Sequence, residues 1–524
     1  MTTIHLIELD AYHLASGHIH RWHLATKPGY RSGPGDTPAS LPWLPLVGKP
    51  SDVSLSIASL GETMGATLVS FGSVELDNAR DWQGGRQARV YDATADAWIT
   101  VTLPARPLNP LLTDYALAGW PLVEKVIEVG APYATAQVVA RVTMEMPDPD
   151  SKRSTINLSV RGREADFDDP LLTEKYSTGD GESLADRTKE RAFGHCYMEP
   201  TYLGIIGGLY TWSVNGGHPI DGVPTLWDRG FRMIPRTTGT PASNEFKADP
   251  ATGIIVTASR PPEILCEVKG DKTGGVWRRY VGEMAQHLAV TVAGKVPLAR
   301  MDAASVAVLD ATPREIGYAI PTGSSPTLRE ALDKLLCSLA RGYWIVTADD
   351  MLTVGRLLAP TAPAARTYRR GVNTPGLTPR STDSRGLPAK TVTLRYAGIP
   401  KVTQTIVADA LDEDVKLHKA LWREVTDTDA ATAAAYPGAR SPTVETLLWD
   451  RTQAVAEQAE FLSELKKVRR VYDLVAQDGA PGTDRRAVLQ VFDDLAGYET
   501  GRLVTVIGRI NNARSKIPTL VVRE

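Results

Sequence analysis

The stretch "GGLYTWSVNGGHPIDGVPTLWDRG" (207–230) sets two apolar, strand-like runs on either side of Asn215-Gly216-Gly217. An Asn-Gly step between such runs is the strongest short-range hairpin signal a sequence carries, because both residues accept the positive φ of a tight turn. The middle of the chain is therefore predicted to be antiparallel β.

Similar signals recur on both sides. Gln87–Asp92 and Trp98–Leu103 flank the turn-prone "ATADA" and predict a hairpin. Before them, "GYRSGPGDTPASLPWLP" (29–45) reads as a Gly/Pro/Ser loop. "MPDPDSKR" (146–153) reads as a boundary, followed by a half-buried strand in which Ile156, Leu158 and Val160 alternate with Asn157 and Ser159. A polar loop is expected over 176–190.

The clearest helix is "TLREALDKLLCSLARG" (327–342), with a Thr327/Glu330 capping box and a stripe of Leu328, Leu332, Leu335, Leu336 and Leu339. Gly342 is expected at its left-handed C-terminal position. Cys337 falls opposite the stripe, which implies that another domain or chain covers that face. "YWIVTADDMLTVGRL" reads as a hairpin turning at Ala348–Asp350, and the Pro/Arg-rich segment 359–388 as a linker or long surface loop. Beyond it come an alternating strand (390–398), helical spacing over 409–427 and 443–472, and two closing strands. In the second helical segment Leu448, Val455, Ala459 and Leu462 share a side.

Bulk properties narrow the function classes. At 524 residues the chain has room for three or four domains. The 58 basic and 61 acidic residues give a net charge of −3, so no polyanion partner is implied and no specific nucleic acid is expected. The strongest basic run, Lys466-Lys467-Val468-Arg469-Arg470, ends a helical segment, where cations suit the carbonyl end of the dipole. Cys196, Cys266 and Cys337 are too sparse for a disulfide framework, which points to a reducing cytoplasm. His5, Glu8 and Asp10 interrupt any secretory core, and the apolar run Leu203–Trp212 is far short of a membrane span. A soluble chain without stable membrane insertion is expected.

Each candidate chemistry meets an objection. His195 and Cys196 are adjacent, and in a strand they point to opposite faces, which argues against a nucleophile–base dyad. His5, His13, His18, His20 and His23 cluster early. His18 and His20 would share a strand face as half of a metal site, which distant carboxylates or a partner chain would have to complete; the other account is a histidine-bearing surface or interface. "KTGG" at Lys272 and "SELK" at Ser463 match penicillin-recognising motifs in the wrong order. "LGIIGG" (203–208) lacks the helix of a dinucleotide fingerprint, and "ADFDDP" (165–170) lacks the glycine and glutamate of a calcium loop. No catalytic, cofactor-binding or metal residue is assigned, no cofactor is expected, and the chain is read as a non-enzyme. The fold class is α+β, predominantly β, with several small barrel-like or tube-like domains and a few amphipathic helices. The divisions are 1–148 (β-rich), 149–260 (antiparallel β), 261–365 (helix plus hairpin) and 366–524 (α+β).

The order of segments resembles the hub or baseplate proteins of tailed-phage tail tips, of the long non-contractile or gene-transfer-agent type. "GYRSGPGDTP" with "VELDNARDWQGGRQARVYDATADAWITVTLPARPLN" resembles their N-terminal module, which makes 1–148 a tail-docking domain. "KERAFGHCYMEPTYL" followed by the run to Asp228-Arg229-Gly230 resembles their middle segment, with Glu199 in place of the usual Asn. The 327–357 stretch, "LPAKTVTLRYAGIP", "AEQAEFLSELKKVRR" and "GRLVTVIGRI" resemble the parts that follow, the last a tube-like domain. The resemblance implies a structural virion protein, made in a bacterial cytoplasm and located at the tail tip. It implies a homotrimeric ring that contacts the distal tail protein, the tape-measure protein, other hub proteins and receptor-binding fibres, and that opens for genome ejection after host attachment. Two alternatives stand beside it. One is a hexameric distal-tail adaptor. The other is a tip protein that binds carbohydrate, through tryptophans such as Trp22, Trp82, Trp212 and Trp227, or degrades the cell wall, through His195, Cys196, Lys272 or Ser463.

Overall fold

The computed structural model describes residues 3–51, 54–60, 63–70, 72–79, 85–149, 154–180, 183–347, 349–357, 359–380, 387–467, 470–480, 483, 485–510 and 517–524. Its first strands are β1 (Thr3–His13), β2 (Ile19–Ala25), β3 (Val47–Lys49), β4 (Ser54–Leu60), β5 (Thr63–Ser70) and β6 (Ser73–Asp77). They continue as β7 (Arg86–Asp92), β8 (Ala97–Leu103), β9 (Tyr115–Ala116), β10 (Pro121–Glu128), β11 (Gln137–Pro149) and β12 (Thr155–Arg161), with helix α1 (Asn109–Thr113) before β9. All but β4 and β5 join one ten-stranded sheet in the order β3-β6-β12-β11-β10-β1-β2-β7-β8, with β9 against β1. β1 is central and buries both faces. Ile7, Leu9 and Ala11 meet Trp22 and Leu122 on one side, and Ile4 and Leu6 meet Trp43 and Tyr133 on the other. The 29–45 loop supplies Trp43 to that second core. At the expected boundary of 146–153, β11 runs on to Pro149, residues 150–153 lie outside the described residues, and β12 pairs back onto β11 and onto β6.

Next come β13 (Arg191–Met198), β14 (Thr201–Ile206), β15 (Leu209–Ser213), β16 (Ile220–Asp228) and β17 (Phe231–Arg232). After them follow β18 (Ile234–Pro235), β19 (Glu245–Asp249), β20 (Ile254–Thr257), β21 (Ile264–Asp271) and β22 (Gly317–Ile320). They form two five-stranded sheets, β17-β16-β21-β13-β22 and β14-β15-β20-β19-β18, around a core that includes Trp212, Phe246 and Val268. The Asn215 turn is not a hairpin, because β15 and β16 belong to different sheets. Fully buried Asn215 ties the crossing together. Its Oδ1 accepts from Ala192 N–H (3.0 Å) and Arg191 Nε (3.2 Å), and its Nδ2 donates to the carbonyl of Pro219 (3.2 Å).

Helices α2 (Val281–Gln286), α3 (Ala303–Asp310) and α4 (Leu328–Cys337) pack with the hairpin β23 (Gly342–Val346) and β24 (Leu352–Arg356). The capping box of α4 forms as expected, and Leu328, Leu332, Leu335 and Leu336 are buried to 1% or less. Each contributes about 2 kcal/mol by burial. The helix stops at Cys337, five residues before Gly342, and the left-handed residue that follows it is Arg341 (φ 60°); Ser338 Oγ donates back to the Lys334 carbonyl (2.7 Å). Gly342 begins β23 instead, where an added Cβ would lie 2.0 Å from the Leu336 carbonyl oxygen. Cys337 is buried, as its covered face implied, and the cover comes from this same chain.

The Asp333 carboxyl of α4 accepts from Trp344 Nε1 (2.7 Å), and burial pushes its pKa up to about 6. Unfolded, it titrates near 4. The folded state therefore holds this proton more tightly, and stability is lost as pH rises from about 4 to about 6. Asp333→Asn keeps an acceptor for Trp344 and removes the charge. It is expected to be more stable than the parent at neutral pH by about 1 kcal/mol, with that slope gone from a melting-temperature-against-pH series.

The remaining elements are β25 (Arg366–Arg369), β26 (Leu377–Arg380), β27 (Thr391–Tyr396), α5 (Asp412–Lys419), β28 (Arg423–Thr428), α6 (Ala430–Ala435) and β29 (Thr443–Glu445). The chain then runs through α7 (Arg451–Leu465), β30 (Val471–Val475), β31 (Val488–Phe492), β32 (Arg502–Ile510) and β33 (Thr519–Arg523). The 359–388 segment is not structureless: β25 and β26 are the edges of a sheet ordered β25-β31-β32-β33-β30-β26. The helical segments are shorter than expected, since 423–428 and 443–445 are strands of a sheet β28-β27-β29. Helix α7 buries Ala454, Glu457, Gln458, Phe461 and Leu462, while Val455 faces solvent. The hairpin β4–β5 leaves the first sheet and pairs with β32, Ser56 opposite Gly508. Mostly strand with a few helices, the fold is predominantly β. Its sheets are open, and the expected barrels are not closed among the described residues.

Candidate functional site

Every residue of β13 is buried, and successive side chains part to opposite sides. Phe193 and Tyr197 join the core around α4, whereas Ala192, Cys196 and Met198 join the core between the two five-stranded sheets. His195 stacks on Trp449 (ring centroids 3.8 Å apart), and its Nε2 lies 2.8 Å from Glu267 Oε1. Burial alone would raise the Glu267 carboxyl, but hydrogen bonds from His195 and Thr225 outweigh it and hold the pKa low. Burial pushes the Cys196 thiol up to about 12 and the Cys266 thiol well above its ordinary value. A thiolate is the reactive form, so neither sulfur is primed for attack. His195 acts as a bracket between Glu267 and Trp449, not as a base for Cys196.

His195, Cys196 and Trp449 border a cavity of about 830 Å³, walled by β13, β22 and the 443–449 segment and lined also by Tyr318, Lys334, Cys337, Trp422 and Glu445. It is large enough for a side-chain cluster or a small ligand.

The early histidines separate. His5 bonds Glu124 (2.7 Å), and His23 lies buried against Trp43 and Trp98 with its pKa lowered to about 4 by burial. His18 and His20 do share a face, and the structure adds Asp92 to them. That third residue lay in a strand the sequence predicts; its pairing with β2 was not readable there.

No family model matches this sequence, and no curated protein does either. Among solved structures, the chain is similar to the 43 kDa tail protein of prophage MuSo2 from Shewanella oneidensis, at 10% identity and a TM-score of 0.39, covering 99% of this chain and 98% of that one. It is also similar to a tail protein from Neisseria meningitidis MC58, at 11% identity, TM-score 0.40, and 99% and 96% coverage. A third is prophage tail protein gp18 from Listeria monocytogenes EGD-e, at 8% identity, TM-score 0.36, and 90% and 88% coverage. Likeness at this level carries no argument about role.

The other motifs fall apart in space. Lys272 pairs with Asp221 (2.9 Å), and Lys466 of "SELK" pairs with Asp429 (2.8 Å). Asp166, Asp168 and Asp169 each face a different cation: Arg161, Arg329 and Lys295. Gly207 and Gly208 are the positive-φ turn between β14 and β15. Trp22, Trp212 and Trp227 are buried, while Trp82 lies outside the described residues, as do Val468 and Arg469 of the basic run. Among the described residues no helix is long and apolar enough to cross a membrane.

Proposed function

We propose that this chain is a structural, non-enzymatic subunit of a phage-type tail tip, three copies of which close into a ring-shaped hub. The observation that carries this reading is strand β8, "AWITVTL" (97–103), the outermost strand of the ten-stranded sheet. It has no charged residue, and Trp98, Ile99 and Val101 are half-buried. Several other sheet edges are guarded in the usual ways: β25 and β26 carry Arg366, Arg369, Arg380 and Pro379, and β3 is three residues long. Unguarded edges invite pairing with another chain, and closed symmetry is how an assembly uses them without aggregating. The segment order that resembles hub proteins supports the same reading. In it, the ring closes the tail tube, meets the distal tail and tape-measure proteins, and carries receptor-binding fibres.

The native mass of the purified full chain is expected to be that of a trimer, and Thr100→Lys is expected to reduce it to a monomer. A parent that stays monomeric at every concentration overturns the ring. Gold-labelled antibody is expected at the tail tip of particles from the source culture. Abundant free protein with no label on any particle overturns the assembly role.

A further inference from the structure

His20 of β2 stands directly opposite Asp92 of β7, in a pairing that comprises only His20↔Asp92 and Arg21↔Tyr91. His18 lies two residues before His20, so both imidazoles fall on the side of the sheet where Asp92 points. One carboxylate oxygen, Asp92 Oδ2, faces both rings: His18 Nδ1 at 2.7 Å and His20 Nε2 at 3.7 Å. The second distance is too long for a hydrogen bond. The three atoms all lie within 4.8 Å of one another. Ligands around a tetrahedral zinc ion sit roughly 3.3 Å apart, so small side-chain shifts suffice to admit an ion.

The surrounding groups orient the three ligands. Tyr115 OH bonds His20 Nδ1 at 2.8 Å. With that nitrogen donating its proton, Nε2 keeps a lone pair aimed at the cluster. Asp92 Oδ1 is taken by the backbone N–H groups of Thr94 and Ala95, both at 3.0 Å, so Oδ2 is the oxygen turned to the two rings, and an ion would take the place of the proton it shares with His18 Nδ1. His13 stacks on His20 with ring centroids 5.0 Å apart and closes one side. The His18 side chain is 40% exposed, so a fourth position opens to solvent.

We propose that His18, through Nδ1, His20, through Nε2, and Asp92, through Oδ2, form a site for one divalent transition-metal ion of the zinc class. The ion staples the β7–β8 hairpin to β2 at a junction where the strand register is two residue pairs long. This inference stands apart from the assembly role.

The test uses the full chain, stripped with chelator and titrated with Co²⁺ as the probe. The expected result is one equivalent bound per chain, with the intense visible absorption of a four-coordinate site, displaced by Zn²⁺. Tyr115→Phe, which removes only the outer hydrogen bond, is expected to weaken binding about 10–100-fold. His18→Gln, at the exposed member of the set, is expected to abolish binding and the rise in melting temperature that Zn²⁺ gives the parent, with the circular dichroism unchanged. No saturable equivalent in the parent overturns the proposal. An equivalent that persists in both His18→Gln and Asp92→Asn places the metal elsewhere and overturns it as well.

Discussion

Replacing Glu457 with alanine is expected to destabilise the chain by about 3–5 kcal/mol. The carboxylate lies on the buried face of α7 with no exposed surface, and it serves four donors: Arg314 Nε (2.8 Å), both terminal nitrogens of Arg356 (2.9 Å each) and the Ala340 amide (2.6 Å). Removing it leaves two guanidinium groups, each largely out of water, with only the partly exposed Glu460 as a remaining counter-charge. A drop in the denaturant midpoint followed by the fluorescence of buried Trp344 measures the loss. Replacing the whole set at once, with Glu457→Leu, Arg314→Met and Arg356→Met, is expected to recover most of it, because burying three charges costs nearly as much as their attraction returns.

The second large effect is expected at Gly317. It faces Gly194 across the β13–β22 pair, where the two backbones run unusually close. A Cβ on Gly317 would sit 1.8 Å from the His195 carbonyl oxygen and 2.8 Å from Cys196 Cβ. The obstacle is backbone, so the strands themselves must part. Gly317→Ala is expected to cost about 3 kcal/mol or more, and the change in Trp449 emission should accompany it as the His195 stack is disturbed. Gly438→Ala is the control. Its added Cβ meets nothing within 4 Å, and the change should stay within about 0.5 kcal/mol.

What could be read from the sequence was what neighbouring residues decide among themselves. The β7–β8 and β23–β24 hairpins, the Thr327/Glu330 cap and the alternating β27 all formed. Their signals lie within a few residues of one another. The opposite case is Asn215, whose partners Arg191 and Asp271 come from strands far away in sequence, so a residue pair that looks like a hairpin turn serves as a junction between sheets. In α7 the expected stripe included Val455, yet the buried face holds Glu457 and Gln458, because arginines from other segments supply what a leucine would have supplied by burial. His18 and His20 were legible as a pair on one face. Asp92 was not, since register between β2 and β7 is set by the whole sheet and not by either strand.

The hairpin that leaves the first sheet to pair with β32 has a temporal meaning. On a ribosome, residues 54–70 emerge long before residues 502–510, and until then β4 has no partner along the edge that Gly508, Arg509 and Ile510 will occupy. Early-made and late-made segments must wait for each other, and contacts of such long sequence separation form slowly. A chain interrupted before β32 would display the unpaired edge of β4 as a mark of its incompleteness. Only a finished subunit conceals it.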